Sequence, residues 1–272
     1  MLNNHNNNFF YTEKIDLLDF NSVKNFLDLG GDPNDFLDTE SPILFQILLK
    51  FHIRSRGKFK FYEKNCFEII RLLLNSGANP NIKGVAGLTA LHFAVVSLKL
   101  TKLLLDNGAD INARAFDNTT PLYNCNLMST DKKAIKLLLN HGAETSIPRF
   151  DGSNVFFVAV TGNYQILRMI LQKNDCIIHL PDDDKGNTVL HFSVLNPPFS
   201  FKKIALLLKH GADIHASNRK GITPFQIVFK YGSPIYLKLQ KLFLKYHANY
   251  QKSYRDCLKL MINKEDEIDV DY

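Results

Sequence analysis

Apolar and polar positions along this chain follow a pattern that returns about every 33 residues. Runs of three leucines begin at residues 72, 103, 137 and 206, and a glycine stands three residues after the last leucine of each run. An apolar helical stripe that stops at a glycine predicts a helix ending in a left-handed cap. Residues rich in Asp, Asn, Gly and Lys follow each glycine, which is the composition of a hairpin turn.

A second phrase stands before the later leucine runs and predicts another helix. A Thr before Pro caps a helix start, and Pro at the first helical position loses no hydrogen bond. The copies are ESPILFQI (40–47), GLTALHFA (87–94), NTTPLYNC (118–125), GSNVFFVA (152–159), GNTVLHFS (186–193) and GITPFQIV (221–228). Each unit is therefore predicted to be helix, turn, helix and hairpin.

The spacing of the helix-ending residue shows how regular the repeat is. Five of the six steps between neighbouring copies lie between 31 and 36 residues, and the first step is 47. Units of this size cannot bury an apolar face alone, so they stack into a solenoid. The helix-ending positions are Gly30, Gly77, Gly108, Gly142, Asp175, Gly211 and His247.

These registered phrases resemble the ankyrin repeat, whose first helix opens with T-P-L-H-x-A. The resemblance implies an all-α solenoid of about seven helix-turn-helix units joined by β-hairpin loops. It divides the chain into an N-terminal capping repeat (1–40), ankyrin repeats (41–250), a C-terminal capping helix (251–263) and an acidic tail (264–272). It also implies structural roles for His92 and His191, as links between neighbouring loops, and for the helix-ending Gly77, Gly108, Gly142 and Gly211.

Charge, cysteine spacing and the catalytic motifs that are absent limit the kinds of function that this sequence can have. The 272 residues carry 33 Lys and Arg against 27 Asp and Glu, and the last ten residues hold five acids. The four cysteines are 51 or more residues apart, which gives no zinc spacing and favours a reducing, cytoplasmic compartment. No Gly-x-Ser-x-Gly, phosphate-binding loop or kinase motif occurs, so no enzyme, metal site or cofactor is predicted.

The predicted contact residues lie at the hairpin tips. Ankyrin proteins bind partners through these tips and the first helices, so exposed aromatic and basic side chains there are interface candidates. A basic ridge along one edge predicts a protein partner with an acidic or phosphorylated surface. The protein is also expected to be a monomer and to bind no small-molecule substrate. The candidates are Arg114, Phe116, Arg149, Phe150, Arg219 and Lys220.

An insertion explains the long first step. Residues 50–64, KFHIRSRGKFKFYEK, lie between two predicted helices of one unit. The segment is expected to lengthen their connection with an exposed loop near RSRGKFK. Two hypotheses remain for the basic residues of this segment: they form a second contact site, or the segment is an insertion that the fold tolerates. These residues are Arg54, Arg56, Lys58 and Lys60.

The function predicted from the resemblance is a non-enzymatic scaffold that binds a cytosolic protein. A chain made almost entirely of repeats, and rich in Asn, Lys, Ile and Phe, is similar to ankyrin proteins that intracellular bacteria or large DNA viruses direct at host cells. Delivery into a host cytosol is then expected. Two alternatives are a basic surface that binds nucleic acid or an anionic membrane, and a cryptic enzyme built from groove side chains.

Overall fold

The computed structural model describes residues 15–37, 40–127, 132–173, 176–179, 185–195, 200–230 and 236–247. At 54–62, 126–127, 158, 161 and 176–177 it describes the backbone alone. The described residues form helices joined by turns, as predicted for an all-α fold. The chain divides into two compact units, Met1–Lys173 and Asn174–Tyr272, and each is described by itself.

Unit 1 is built from helices that pack in sequential pairs. Within it α3 packs on α2, α4 and α5, while α7 packs on α5 and α8. Short first helices and longer second helices alternate after α2, as the repeat predicts. The helices are α1 (Phe20–Asp28), α2 (Ile43–Asn75), α3 (Ala90–Ala94), α4 (Leu98–Asp106), α5 (Pro121–Leu127), α6 (Lys132–Asn140), α7 (Val155–Thr161) and α8 (Tyr164–Lys173).

Unit 2 contains two further repeats. Helix α9 packs against both α10 and α11. A 3₁₀ turn at Cys176–His179 precedes them. The helices are α9 (Val189–Leu195), α10 (Phe201–Lys209), α11 (Pro224–Lys230) and α12 (236–247).

Local sequence explains where the helices begin and end. The Asp19 carboxylate and the Ser97 hydroxyl accept backbone N–H bonds at the starts of α1 and α4. The leucine-run helices end at glycines with φ between 81° and 92°: Gly77, Gly108, Gly142 and Gly211. Nothing lies within 4 Å of where a Cβ would stand at Gly77, so its positive φ alone favours glycine there.

The predicted exposed loop in residues 54–60 is wrong, because helix α2 runs through the whole insertion. The segment contains no proline and one glycine, Gly57, and an isolated glycine costs a helix only about 1 kcal/mol. A straight helix of 33 residues would span about 50 Å. However, Asn34 Nδ2 donates to Gly77 O (3.2 Å) and Ile43 N–H donates to the adjacent Asp35 O (2.9 Å), so both ends of α2 meet. The chain therefore reverses direction within the segment assigned as α2, whose first and last parts run antiparallel as the two helices of one repeat.

The predicted β-hairpins take the form of tight turns, each closed by two backbone hydrogen bonds, of which the wider one joins the residues given next. The same bond recurs at four repeats: Gly84 N–H to Leu88 O (2.8 Å), Ala115 to Thr119 (3.0 Å), Arg149 to Ser153 (2.9 Å) and Asn218 to Ile222 (3.0 Å). The residue before the closing carbonyl has a positive φ at 87, 118, 152 and 221. These closed turns are called the hairpin tips below.

Several predicted features lie outside the described residues. They are the capping helix at 251–263, the acidic tail at 264–272 and the helix-ending position at Asp175. Within the described part of the chain, no helix is long and apolar enough to cross a membrane.

Candidate partner-binding surface at the hairpin tips

Three exposed apolar side chains occupy one repeat position in unit 1. Val85, Phe116 and Phe150 stand two residues before the positive-φ residue of their tips and are 49%, 67% and 73% exposed. These three residues are called the tip row. The sequence predicted Phe116 and Phe150 as contact residues but missed Val85, although its register with the two phenylalanines is visible in the aligned phrases.

Backbone hydrogen bonds fix neighbouring tips to one another. Phe116 N–H donates to Ala86 O (2.9 Å), and Phe150 N–H donates to Asp117 O (3.2 Å). A Cβ at Gly87 would lie 2.5 Å from the Phe116 ring, so glycine there lets the ring lie against the preceding tip. The tip row is therefore a rigidly spaced set of apolar side chains.

Arg114 and Arg149, the two candidate arginines at the hairpin tips of unit 1, do not form the predicted basic ridge. Arg114 is exposed. Arg149 is not its equivalent in the next repeat, because Arg149 corresponds to Ala115, the buried residue that follows Arg114. Its guanidinium turns inward, over the Tyr123 ring at 5.2 Å. It is paired with the carboxylates of Asp117 (2.6 Å) and Asp151 (3.0 Å). Arg149 therefore holds two tips together and contributes no net positive charge to an exposed ridge.

Ion pairing also sets the charge state of these carboxylates. Partial burial opposes ionisation of Asp117, but hydrogen bonds from Arg149 and from the Thr119 N–H outweigh it and lower its pKa to about 2. The bond to Asp117 raises the pKa of Arg149. For Asp151, burial is likewise outweighed by hydrogen bonds from Ser153, so its pKa is lowered. The cluster remains fully charged at neutral pH.

Side chains beneath the tips link each repeat to the next. The buried His92 ring accepts the Thr89 N–H at Nδ1 (3.0 Å), and its Nε2 contacts Thr119 O (3.0 Å) in the following repeat. His191 does the same with Thr188 and Ile222 O (2.9 Å) in unit 2. Tyr123 occupies the His92 position, and its hydroxyl lies 3.0 Å from Ser153 Oγ. The structure thus places both histidines in linking positions.

The remaining candidates belong to other elements. Arg219 and Lys220 are exposed at a hairpin tip of unit 2. Arg54, Arg56, Lys58 and Lys60 lie in helix α2, where the backbone alone is described.

The described residues offer little for bond-making chemistry. Among them there is no cluster of three or more His, Cys, Asp or Glu side chains that could hold a metal ion. Burial, reinforced by the charge of Glu63, raises the pKa of the Cys66 thiol to about 12, so that thiol is not a ready nucleophile. The surface is suited to contact, through apolar rings held in fixed spacing.

The family profile described as "Ankyrin repeats (3 copies)" matches residues 59–115 and 122–218, together more than half of the chain. The chain belongs to the ankyrin repeat family. Ankyrin repeats are in general protein–protein interaction modules, and the inter-repeat links described above are the contacts that stack them here.

Two curated proteins are similar to this chain in sequence, and a solved structure is similar to it in fold. The chain is 31% identical over 138 residues to the fowlpox virus ankyrin repeat protein FPV222, covering 50% of this chain and 18% of that protein. It is 33% identical over 171 residues to FPV232 of the same virus, covering 60% and 34%. The ankyrin repeat domain of Bcl-3 superposes with a TM-score of 0.65 at 20% identity, covering 84% of this chain and 95% of that domain. The chain thus spans about a fifth to a third of these curated relatives.

Proposed function

We propose that this ankyrin repeat chain is a non-enzymatic scaffold that binds a protein through the tip row of unit 1. The observation that supports this most is the recurrence of an exposed apolar side chain at the same position of three successive tips. Exposed aromatic side chains on a rigid surface are typical of interface hot spots.

Charged residues beside the tip row would select the partner. Arg114 is exposed on the same tip as Phe116 and favours an acidic or phosphorylated contact. Arg149 has a positioning role, since it holds Asp117 and Asp151 and through them the spacing of Phe116 and Phe150. The partner we propose is therefore a protein with an apolar patch bordered by negative charge.

The viral relatives support a host protein as the partner. Two similar proteins come from fowlpox virus and a third, L371, from Acanthamoeba polyphaga mimivirus. A virus-encoded interaction module has host proteins as its available targets. We place the activity in the host cytosol, in line with the thiol chemistry of Cys66, which is free and buried.

Binding to nucleic acid or an anionic membrane is the less favoured alternative. The carboxylates of Asp117 and Asp151 stand among the tips and neutralise Arg149. A polyanion needs an uninterrupted basic surface, whereas these tips carry both positive and negative charge.

Paired substitutions at the tip row test the proposal. The double variant Phe116→Ser with Phe150→Ser should lose proteins that the wild-type chain captures from eukaryotic cell extract, by at least about tenfold. Leu237→Ser removes a 50% exposed side chain from α12 in unit 2 and should leave capture unchanged. Equal capture by all three proteins, at unchanged melting temperature, would refute the tip row as the contact surface.

A further inference from the structure

A groove of about 820 Å³ lies in unit 1 between the last part of α2 and α4. Its volume is within the range of binding pockets in proteins, about 300–1,000 Å³. Both of its walls are second helices of their repeats, whereas the tip row belongs to the hairpin tips. This α2–α4 groove is therefore a separate feature of unit 1.

The insertion in α2 provides one wall of the groove. Helices α4 and α6 begin at Leu98 and Lys132, the same number of residues before their helix-ending glycines. The equivalent residue in α2 is Phe67, but α2 is already helical before it. Glu63 lies in this additional turn, and its carboxylate accepts the Ser97 hydroxyl at the start of α4 (2.5 Å). The additional turn therefore extends the groove beyond the start of α4.

The lining of the groove is largely apolar and has no net formal charge. Phe67 and Leu103 are partly exposed in it. Lys64, Lys99 and Lys102 add aliphatic stems, because a lysine can lie along apolar surface while its ammonium group stays in water. Three carboxylates balance these lysines: Glu63, Glu68 and Asp106. Such a groove suits a segment that supplies aromatic side chains and little charge.

The N-terminal part of the chain arrives beside this groove. The Leu18 carbonyl oxygen accepts a hydrogen bond from Asn65 Nδ2, and Asn65 directly follows Lys64, which lines the groove. Helices α1 and α4 both pack on α2. A helix with its side chains is about 10–12 Å wide, whereas six extended residues reach about 20 Å. Residues 9–14, which precede the first described residue, Ile15, are thus long enough to cross α2.

The sequence before Ile15 has the composition that the groove requires. Phe9, Phe10 and Tyr11 are consecutive, and residues 2–12 contain no Asp, Glu, Lys or Arg. Each aromatic side chain can remove about 150–250 Å² of surface from water when it is buried.

We infer that Phe9, Phe10 and Tyr11 occupy the α2–α4 groove, against Phe67 and Leu103. The N-terminal segment then forms a strap that crosses α2 and fastens α1 to α4. This contact goes beyond the proposed function, because it stabilises the first repeats of unit 1 and does not involve the tip row.

A tryptophan reporter tests the strap in the full chain, since the sequence contains no tryptophan. The indole of Phe10→Trp should be quenched by acrylamide at least about threefold less than the indole of Phe10→Trp with Leu103→Gln. Leu137→Gln is the matched control, because Leu137 occupies the same repeat position in α6 and is also partly exposed. It should leave the indole protected.

A second groove variant keeps the result independent of any one substitution. Phe67→Gln should expose the indole as Leu103→Gln does, and circular dichroism melts establish which variants fold. Equal quenching with and without the groove substitutions would overturn the inference, whether the indole is exposed or protected in all of the folded variants.

Photo-crosslinking identifies the occupant of the groove. Benzoylphenylalanine at residue 10 should crosslink within one chain, to peptides that contain residues 63–68 or 99–106, at low and high protein concentration alike. Crosslinks between two chains would assign the groove to a second copy, and crosslinks only to proteins of a cell extract would assign it to a partner. Either result would overturn the strap. The Phe116→Ser with Phe150→Ser variant should retain the crosslink within the chain, so a failure of the tip row and a failure of the strap are distinguishable.

Discussion

Arg149 shows how one residue position changes a side chain's role. Arg114 and Arg149 are 35 residues apart, and the local repeat step between their units is 34, so they fall on adjacent positions of their tips. Along the extended arm of a hairpin, adjacent side chains point to opposite sides. Arg114 is consequently exposed, whereas Arg149 turns toward Tyr123, Asp117 and Asp151. Approximate spacing could predict a basic edge but not this inward orientation.

His92 makes the stability of the chain depend on pH. Burial lowers the pKa of His92, although hydrogen bonds to Thr119 and Thr89 oppose this shift. An unfolded histidine takes up a proton near pH 6.5. Because the folded pKa lies below that value, the unfolded state binds more protons in mild acid, and this contribution to stability is lost as pH falls below about 6.5.

The substitution His92→Gln should reduce that pH dependence. Gln226 occupies the same repeat position in α11 and caps the Thr223 N–H (3.0 Å), so the chain itself uses glutamine there. Urea midpoints measured at pH 7.5 and 5.5 should differ less in His92→Gln than in wild type. His141→Gln, at an exposed position, is the matched control and should keep the wild-type difference. An undiminished difference in His92→Gln would contradict the buried, neutral state of His92.

At the scale of elements, asparagine side chains bind one repeat to the next. The amide of Asn34 bridges Gly77 O (3.2 Å) and Asn79 N–H (2.7 Å), and the amide of Asn81 bridges Gly108 O (2.8 Å) and Asp110 N–H (2.7 Å). Asn112 accepts the Glu144 N–H (2.9 Å). Each asparagine lies in the turn after the second helix of one repeat. Its side chain bonds to the backbone just after the second helix of the following repeat, and these bonds fix the spacing between successive hairpin tips.

The last described link of this kind uses two histidines. His215 occupies the asparagine position and His247 the helix-ending glycine position, and His215 Nε2 lies 2.9 Å from His247 Nδ1. The Phe225 ring lies 5.4 Å from both imidazoles. The pair therefore attaches α12 to the preceding repeat in place of an amide.

A double-mutant cycle measures this link. His215→Ala and His247→Ala should each lower the free energy of unfolding, and together by less than the sum, with a coupling of about 1 kcal/mol. The pair Asn81→Ala and His247→Ala, whose residues share no hydrogen bond, should show additive losses. Additivity for the histidine pair as well would mean that the two rings do not stabilise each other.

For the whole molecule, the repeat phrases predicted the fold because each residue type in them has a local reason. Thr89 caps a helix, the leucine runs form buried stripes, and Gly77 takes the positive φ that ends its helix. The insertion was predicted less well. Its connection was expected to be an exposed loop, yet α2 stays helical through residues that contain no strong helix breaker.

The candidate surface could be predicted only in part. Exposure of Phe116 and Phe150 follows from their tip positions, and the same register points to Val85. The pairing of Arg149 depends on the directions of four side chains from two repeats, which no spacing in the sequence specifies.

Site-specific photo-crosslinking tests directly whether the tip row contacts the protein partner. Benzoylphenylalanine is placed at residue 116, 150 or, as the control, 237, and each chain is irradiated in eukaryotic cell extract. We expect the same crosslinked protein from positions 116 and 150 and none from 237. If that protein crosslinks from 237 as efficiently as from the two tips, or is captured without any crosslink at 116 and 150, the tip row is not the contact surface.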